Sequence, residues 1–325
     1  MTGLVTLLAI GFVTAVLLLA LTMMHRLTHP PRKTYAWAVS RSRPGTPGEL
    51  PSPRAFSAVE IAPLGTRLPA WDIPGDKPEG PLVIFTPGWG DSRLGVLPRL
   101  DALLPFASRV LAWDPPGQGD AAGTCDLGVR EAELLTAIIA DEARDAGVAA
   151  RGVVLYGSSL GAGVSLVSAS DPDAAPHARA VIAEGVYRLA RTPAFNVMRL
   201  SALPYRLNGP VAFALLGLTR RGWRGFDRAE HAARINCPLL VLHGEADEVS
   251  PPEDARAVAA AARGATLAVI PEGAHNELWT DESNRPACVA AVAEFLGMVA
   301  AGGGGSPWAW TDAGRAATLP TQPGA

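Results

Sequence analysis

Between residues 82 and 273 the chain returns repeatedly to short apolar runs that end in turns: LVIFTPG, RVLAWDPPGQG, GVVLYG, RAVIAEG, PLLVLHG and TLAVIPEG. A half-exposed strand alternates apolar and polar residues, because its side chains point to opposite faces in turn. A run with no polar position is covered on both faces, which is how strands of a parallel sheet sit. Helical patterns lie between these runs, in LGVREAELLTAIIADEARDAG (127–147), SLGAGVSLVSAS and PPEDARAVAAAARG. The last has Pro at its start, acids in its first turn and Gly after its end, as helix termini favour. CVAAVAEFLGMVA closes the region as another helix. AFSAVEIAP and TRLPAWDI open it as an antiparallel pair. Strands alternating with helices predict an α/β architecture, a mostly parallel central sheet with helices on both faces.

Three flanking regions break this pattern. Residues 1–24 carry no charged side chain, and a helix of about 20 apolar residues is long enough to cross a bilayer. A signal peptide would need a basic start and a small-x-small cleavage site, and neither is present. The expectation is a transmembrane anchor over 1–24. Arg26, Arg32, Lys33, Arg41 and Arg43 follow before the first acid, Glu49, and the positive-inside rule puts the bulk of the chain in the cytoplasm. The same basic residues suit anionic headgroups. Residues 25–55 are rich in Pro, Arg, Gly and Ser and read as a linker; 301–325, rich in Gly and Pro, read as a disordered tail. Residues 56–300 form the folded domain. Within it, 187–226 is long, apolar and Pro-interrupted, and predicts two helices that cover the site as a lid.

Composition excludes some classes. A net charge of -3 with no basic domain argues against nucleic-acid binding. Three scattered cysteines, Cys125, Cys237 and Cys288, form neither a disulfide framework nor a metal-ligand cluster.

The chemistry concentrates at the ends of the apolar runs. Gly157-Ser158-Ser159-Leu160-Gly161 has the spacing G-x-S-x-G between a strand and a helix. Small residues on either side permit a sharp bend that exposes Ser159 at the sheet edge and at a helix N-terminus. A serine nucleophile needs a base, and the base an orienting acid. Asp247 lies just past LLVLHG, and His275 just past TLAVIPEG. Glu184, Glu245 and Glu248 are rival acids, Asp114 reads as a turn cap, and His243 reads as structural.

With TPGWG, WDPPGQGD, YGSSLGAG, HGEADEVSPPEDA and EGAHNELW, residues 56–300 resemble the α/β-hydrolase superfamily. Together with the anchor, the chain resembles membrane-tethered serine hydrolases related to acyl-protein thioesterases. The resemblance implies a Ser159-Asp247-His275 triad acting on carboxylic esters or thioesters, without cofactor or metal. It implies an oxyanion hole from the backbone N–H groups of Trp89 and Leu160. Pro87 stands where that loop more often has His. The expected partners are a small or lipid-like acyl substrate and the bilayer. An aminopeptidase or amidase on the same scaffold, with Glu184 or Glu245 holding the amine, and a non-catalytic membrane scaffold are the other readings.

Overall fold

A computed structural model describes residues 2–200, 205–219 and 226–302. It contains an eight-stranded sheet in the order β1-β2-β4-β3-β5-β6-β7-β8. The strands are β1 (Ser57–Ile61), β2 (Leu68–Pro74), β3 (Leu82–Thr86), β4 (Arg109–Trp113), β5 (Val153–Ser158), β6 (Ala178–Glu184), β7 (Leu239–Gly244) and β8 (Thr266–Ile270). β1 pairs antiparallel with β2, and β2 antiparallel with β4. Every other pairing is parallel. The runs read as buried strands are buried: all residues of β3 and β7 are inaccessible.

The helices are α1 (Thr2–Thr28), α2 (Tyr35–Val39), α3 (Leu100–Leu103), α4 (Val129–Glu142), α5 (Ala146–Arg151), α6 (Leu160–Ala169), α7 (Arg191–Leu200), α8 (Asn208–Thr219), α9 (Arg228–Ala232), α10 (Pro252–Ala261) and α11 (Arg285–Ala301). α4, α6 and α10 cover one sheet face through Leu134, Leu135, Ile138, Leu166 and Val258. α3 and α11 cover the other through Leu100, Leu103, Val292, Phe295 and Leu296. Each such side chain, fully buried, contributes about 1.5–3 kcal/mol. The single helix expected over 127–147 is broken. α4 ends at Glu142, and Asp145 caps a second helix by accepting the Val148 N–H, so Gly147 lies inside α5 rather than at a terminus.

α1 extends four residues beyond the expected anchor. Among the described residues it is the one helix long and apolar enough to cross a membrane. Its first 18 described residues, 2–19, are exposed or nearly so. Its last two turns are not free. Ala20 and Met23 are buried against Met198 and Ala212 of α7 and α8, and Met24 and Leu27 join a second apolar cluster with Leu160 and Leu216. The segment after α1, read as a linker, is tied to the domain. The Thr28 carbonyl accepts the Cys125 N–H at 2.9 Å. Arg32 donates to the Ala121 carbonyl at 2.8 Å, Lys33 pairs with Asp91 at 3.3 Å, and Ala38 of α2 is buried. The 187–226 region contains the two expected helices, α7 and α8, within its described residues. Of the expected tail, all beyond residue 302 lies outside the described residues.

Candidate active site

Ser159 sits between β5 and α6 with φ 52° and ψ -110°, a left-handed φ that a side-chain-bearing residue rarely adopts. The two glycines explain how the chain tolerates the bend. A Cβ on Gly157 would lie 2.1 Å from the Gly161 carbonyl oxygen, and one on Gly161 would lie 2.0 Å from that of Thr86. The Ser159 N–H donates to the Glu184 carbonyl at 2.7 Å, pinning the turn to the neighbouring strand.

The hydroxyl of Ser159 lies 3.0 Å from His275 Nε2, and His275 Nδ1 lies 2.6 Å from Asp247 Oδ2. The other oxygen of Asp247 accepts the N–H groups of Val249, at 2.9 Å, and Ser250, at 2.7 Å. Buried at 3% exposure, this carboxylate has fixed acceptor geometry toward the imidazole. Gly185, at φ 57°, makes room for the ring: a Cβ there would lie 3.3 Å from His275 Cε1. Three residues far apart in sequence therefore form one hydrogen-bonded line, from hydroxyl to imidazole to carboxylate. Such a line can move a proton off the hydroxyl and stabilise the resulting imidazolium.

Leu160 follows Ser159 directly as the first residue of α6, and Trp89 follows Gly88 in the loop after β3. A Cβ on Gly88 would come within 3.2 Å of Ser159 Cβ, so the loop after β3 passes directly beside the serine. The Gly90 N–H is already taken by Gln118 Oε1 at 2.7 Å. No described residue accepts from the backbone N–H of Trp89 or of Leu160. The Trp89 indole N–H donates to the Leu27 carbonyl at the end of α1, at 2.8 Å. No motif in the sequence signalled that last contact, because its partners are 62 residues apart.

The rival acids are engaged elsewhere or exposed. Glu184, 2% exposed, binds Arg99 through both carboxylate oxygens, with Arg99 Nε at 2.8 Å. It also accepts from the Tyr156 hydroxyl at 2.6 Å, the Trp279 indole at 2.8 Å and the Ser158 hydroxyl at 3.3 Å. Burial alone would raise its pKa, but the Arg99 charge and these donors outweigh it and hold the carboxyl below its ordinary value. Its acceptor capacity is used up, which leaves none for a substrate amine. Glu245 and Glu248 are exposed. His243 is fully buried, bonds the Ser250 carbonyl at 2.8 Å and lies 3.5 Å from Asp247 Oδ2; burial pushes its pKa down. Asp114 accepts the N–H groups of Arg93, at 2.7 Å, and Asp120, at 2.9 Å, and burial raises its pKa to about 6. It does serve as a cap of its turn.

A cavity of about 370 Å³ reaches Ser158 and His275. Its walls include Lys33, Trp37, Leu94, Leu97, Arg99 and Trp279. Lys33, Trp37, Arg43, Pro44 and Leu50, from the segment after α1, close it on one side. Among the described residues no group of His, Cys, Asp and Glu is arranged to hold a metal ion.

The parallel sheet, the strained serine turn and the hydrogen-bonded line at the strand ends define an α/β protein of the hydrolase type. The model of the alpha/beta hydrolase family matches residues 83–291, and the chain belongs to that family. No curated protein matches the sequence. Among solved structures, an esterase of Pyrococcus furiosus superposes with a TM-score of 0.66 at 21% identity, over 84% of this chain and 98% of the other. Est1E of Butyrivibrio proteoclasticus, solved with ferulic acid, gives a TM-score of 0.59 at 20% identity, over 75% and 100%. The acylaminoacyl peptidase of Pyrococcus horikoshii gives 0.56 at 16% identity, over 75% of this chain and 41% of its own.

Proposed function

We propose that this chain is a serine hydrolase that cleaves carboxylic esters or thioesters through an acyl-enzyme. The observation that carries the reading is the continuous line from Ser159 through His275 to Asp247, held at 3.0 and 2.6 Å. His275 takes the Ser159 proton as the hydroxyl oxygen attacks the acyl carbonyl, forming the C–O bond of a tetrahedral intermediate. The new oxyanion is held by the Trp89 and Leu160 N–H groups, and each such donor is worth about 3 kcal/mol in the transition state. Collapse expels the leaving group, which takes the proton from His275. Water then enters, gives a proton to His275 and attacks the acyl-serine; the acid departs and Ser159 regains its proton. Asp247 keeps the His275 tautomer and stabilises its cation throughout.

The esterases among the structural neighbours support ester over amide chemistry, and Glu184, engaged by Arg99, Tyr156, Trp279 and Ser158, has no acceptor left for an amine. In the same reading α1 anchors the protein in a bilayer. The basic residues after it favour a cytoplasmic catalytic domain. The packing of Met23, Met24 and Leu27 onto the domain supports a retained helix over a cleaved signal, since cleavage would strip these contacts.

The test is a panel of p-nitrophenyl esters of increasing chain length, acyl thioesters and aminoacyl anilides. The wild type is compared with Ser159→Ala, alongside fluorophosphonate labelling. Ester or thioester turnover and labelling, both lost in Ser159→Ala, are the expected outcome. A folded wild type that neither labels nor turns over any member overturns the reading in favour of a scaffold. Anilide turnover exceeding ester turnover would favour an amidase.

A further inference from the structure

α8 is an unusual helix for a water-facing surface. From Leu207 to Thr219 it carries no charged side chain. Its inward side, through Asn208, Gly209, Ala212 and Leu216, is buried. Its outward side is Pro210, Ala214 and Leu218, continued by Leu207 in the turn just before it, all exposed and spaced on one stripe. Leu218 is 73% exposed and Leu207 55%. A helix that is apolar all round belongs in a protein core or in lipid. The charge in the sequence around it is one-sided. Residues 187–226 hold seven arginines and no acidic residue, in a chain whose net charge is -3. Arg191, Arg199 and Arg206 are exposed. An apolar helix face bordered by arginines is the chemistry of an element lying in the interface of an anionic bilayer.

The position of α1 sets the depth. Residues 2–19, exposed apart from the half-buried Val16, span about 27 Å at the helical rise, close to the roughly 30 Å of a hydrocarbon layer. Packing on α7 and α8 begins at Ala20. The boundary of the hydrocarbon therefore falls where α8 lies alongside α1. The other side of that contact reaches the serine turn, because Leu216 packs on Leu160 with Met24, Leu27 and Trp89.

We propose that α7 and α8 form a second membrane-binding element. In it the Leu207, Pro210, Ala214 and Leu218 face enters the acyl boundary of the leaflet from which α1 emerges, and arginines contact anionic headgroups. This rests on the reading of α1 as a membrane anchor. The partner is an anionic lipid bilayer, and the substrate class it selects is an acyl ester or thioester resident in that leaflet.

The test uses the full chain in vesicles of phosphatidylcholine, with and without phosphatidylglycerol. A fluorophore is placed on Leu218→Cys, Leu8→Cys or Glu253→Cys; Cys125, Cys237 and Cys288 are buried and do not compete for label. Quenching by acyl-chain spin-labelled lipid and by aqueous iodide is then compared. Position 218 is expected to follow position 8, quenched by lipid and shielded from iodide, while 253 shows the reverse. Loss of lipid quenching at 218 in Arg199→Gln/Arg206→Gln, restored by more phosphatidylglycerol, would assign the headgroup role. Quenching of 218 like 253, with 8 in lipid, overturns the proposal and leaves the anchor intact. Lipid quenching at 218 without it at 8 would remove the anchor, and with it the depth argument on which the proposal rests. If neither is in lipid, both fall. Leu218→Asp gives a functional readout, slowing hydrolysis of a vesicle-borne long-chain ester while leaving that of a soluble short-chain ester unchanged. Equal effects on both esters would count against lipid access.

Discussion

Arg99 and Glu184 form a buried ion pair beneath the serine turn, and Arg99→Met should be among the most damaging single changes away from Ser159, His275 and Asp247. Arg99 is 8% exposed and Glu184 2%. Removing one partner of such a pair typically costs about 3–5 kcal/mol, because the remaining charge stays buried without its counter-ion. At about 2–4 °C per kcal/mol for a domain of this size, the loss of thermal midpoint is on the order of 10 °C. The pH dependence should invert. In the wild type the Glu184 carboxyl is held below its ordinary value, so its stabilisation is present above the unfolded carboxylate pKa and is lost on acidification. Without Arg99, burial dominates and the folded pKa moves above the unfolded one. The variant is then least impaired in acid and loses stability as pH rises. Thermal unfolding in detergent, followed by tryptophan fluorescence at pH 5 and pH 8, reads both effects. Arg99→Met/Glu184→Gln should recover much of the loss at pH 8, since it removes the orphaned charge but keeps an acceptor for Trp279. A double variant no more stable than Arg99→Met, or a loss that does not grow with pH, would refute the reasoning.

Other outcomes follow from the same contacts. Asp247→Asn should lower kcat by about 10⁴-fold with little change in KM, by freeing the unproductive His275 tautomer, as read by ester turnover. Trp89→Phe removes the indole bond to the Leu27 carbonyl and should cost about 1 kcal/mol of stability; kcat should fall more than KM rises, if the bond positions the Trp89 N–H. Burial, Arg234 and Arg228 push the His231 pKa down to about 4, so the folded state resists a proton that the unfolded state accepts. Stability should therefore fall as pH drops from about 6.5 toward 4, and His231→Gln should flatten that limb of the thermal-midpoint profile.

Local chemistry carried much of the architecture in plain view. Apolar runs such as LVIFT and LLVLHG can only be strands covered on both faces, and G-S-S-L-G between strand and helix can only make a tight turn if glycine stands at 157 and 161. The break between α4 and α5 was harder to read, because Asp145 as a cap competes with a helical pattern that runs straight through it. The acid facing His275 is ambiguous in the sequence for another reason. Glu184 ends β6 and Asp247 lies just past β7, and only the side chains that converge on Glu184 from Arg99, Tyr156 and Trp279 separate a structural carboxylate from one that faces an imidazole.

The reach of α1 lay beyond any local signal. An uncharged stretch dictates a long apolar helix by composition alone, because helix formation satisfies its backbone internally and its side chains have no use for water. Whether its end floats free on a linker or seats on the loop beside Ser159 depends on contacts between residues tens of positions apart. The Trp89 indole meeting the Leu27 carbonyl, and Cys125 bonding Thr28, exist only once the sheet has brought the loops after β3 and β4 to one edge. Sequence periodicity determined the strands, the turn and the apolar helix, since those follow from each residue and its neighbours. The line through Ser159, His275 and Asp247, and the joining of the helix to it, were decided by tertiary structure, since distance in space is set by the whole chain's packing.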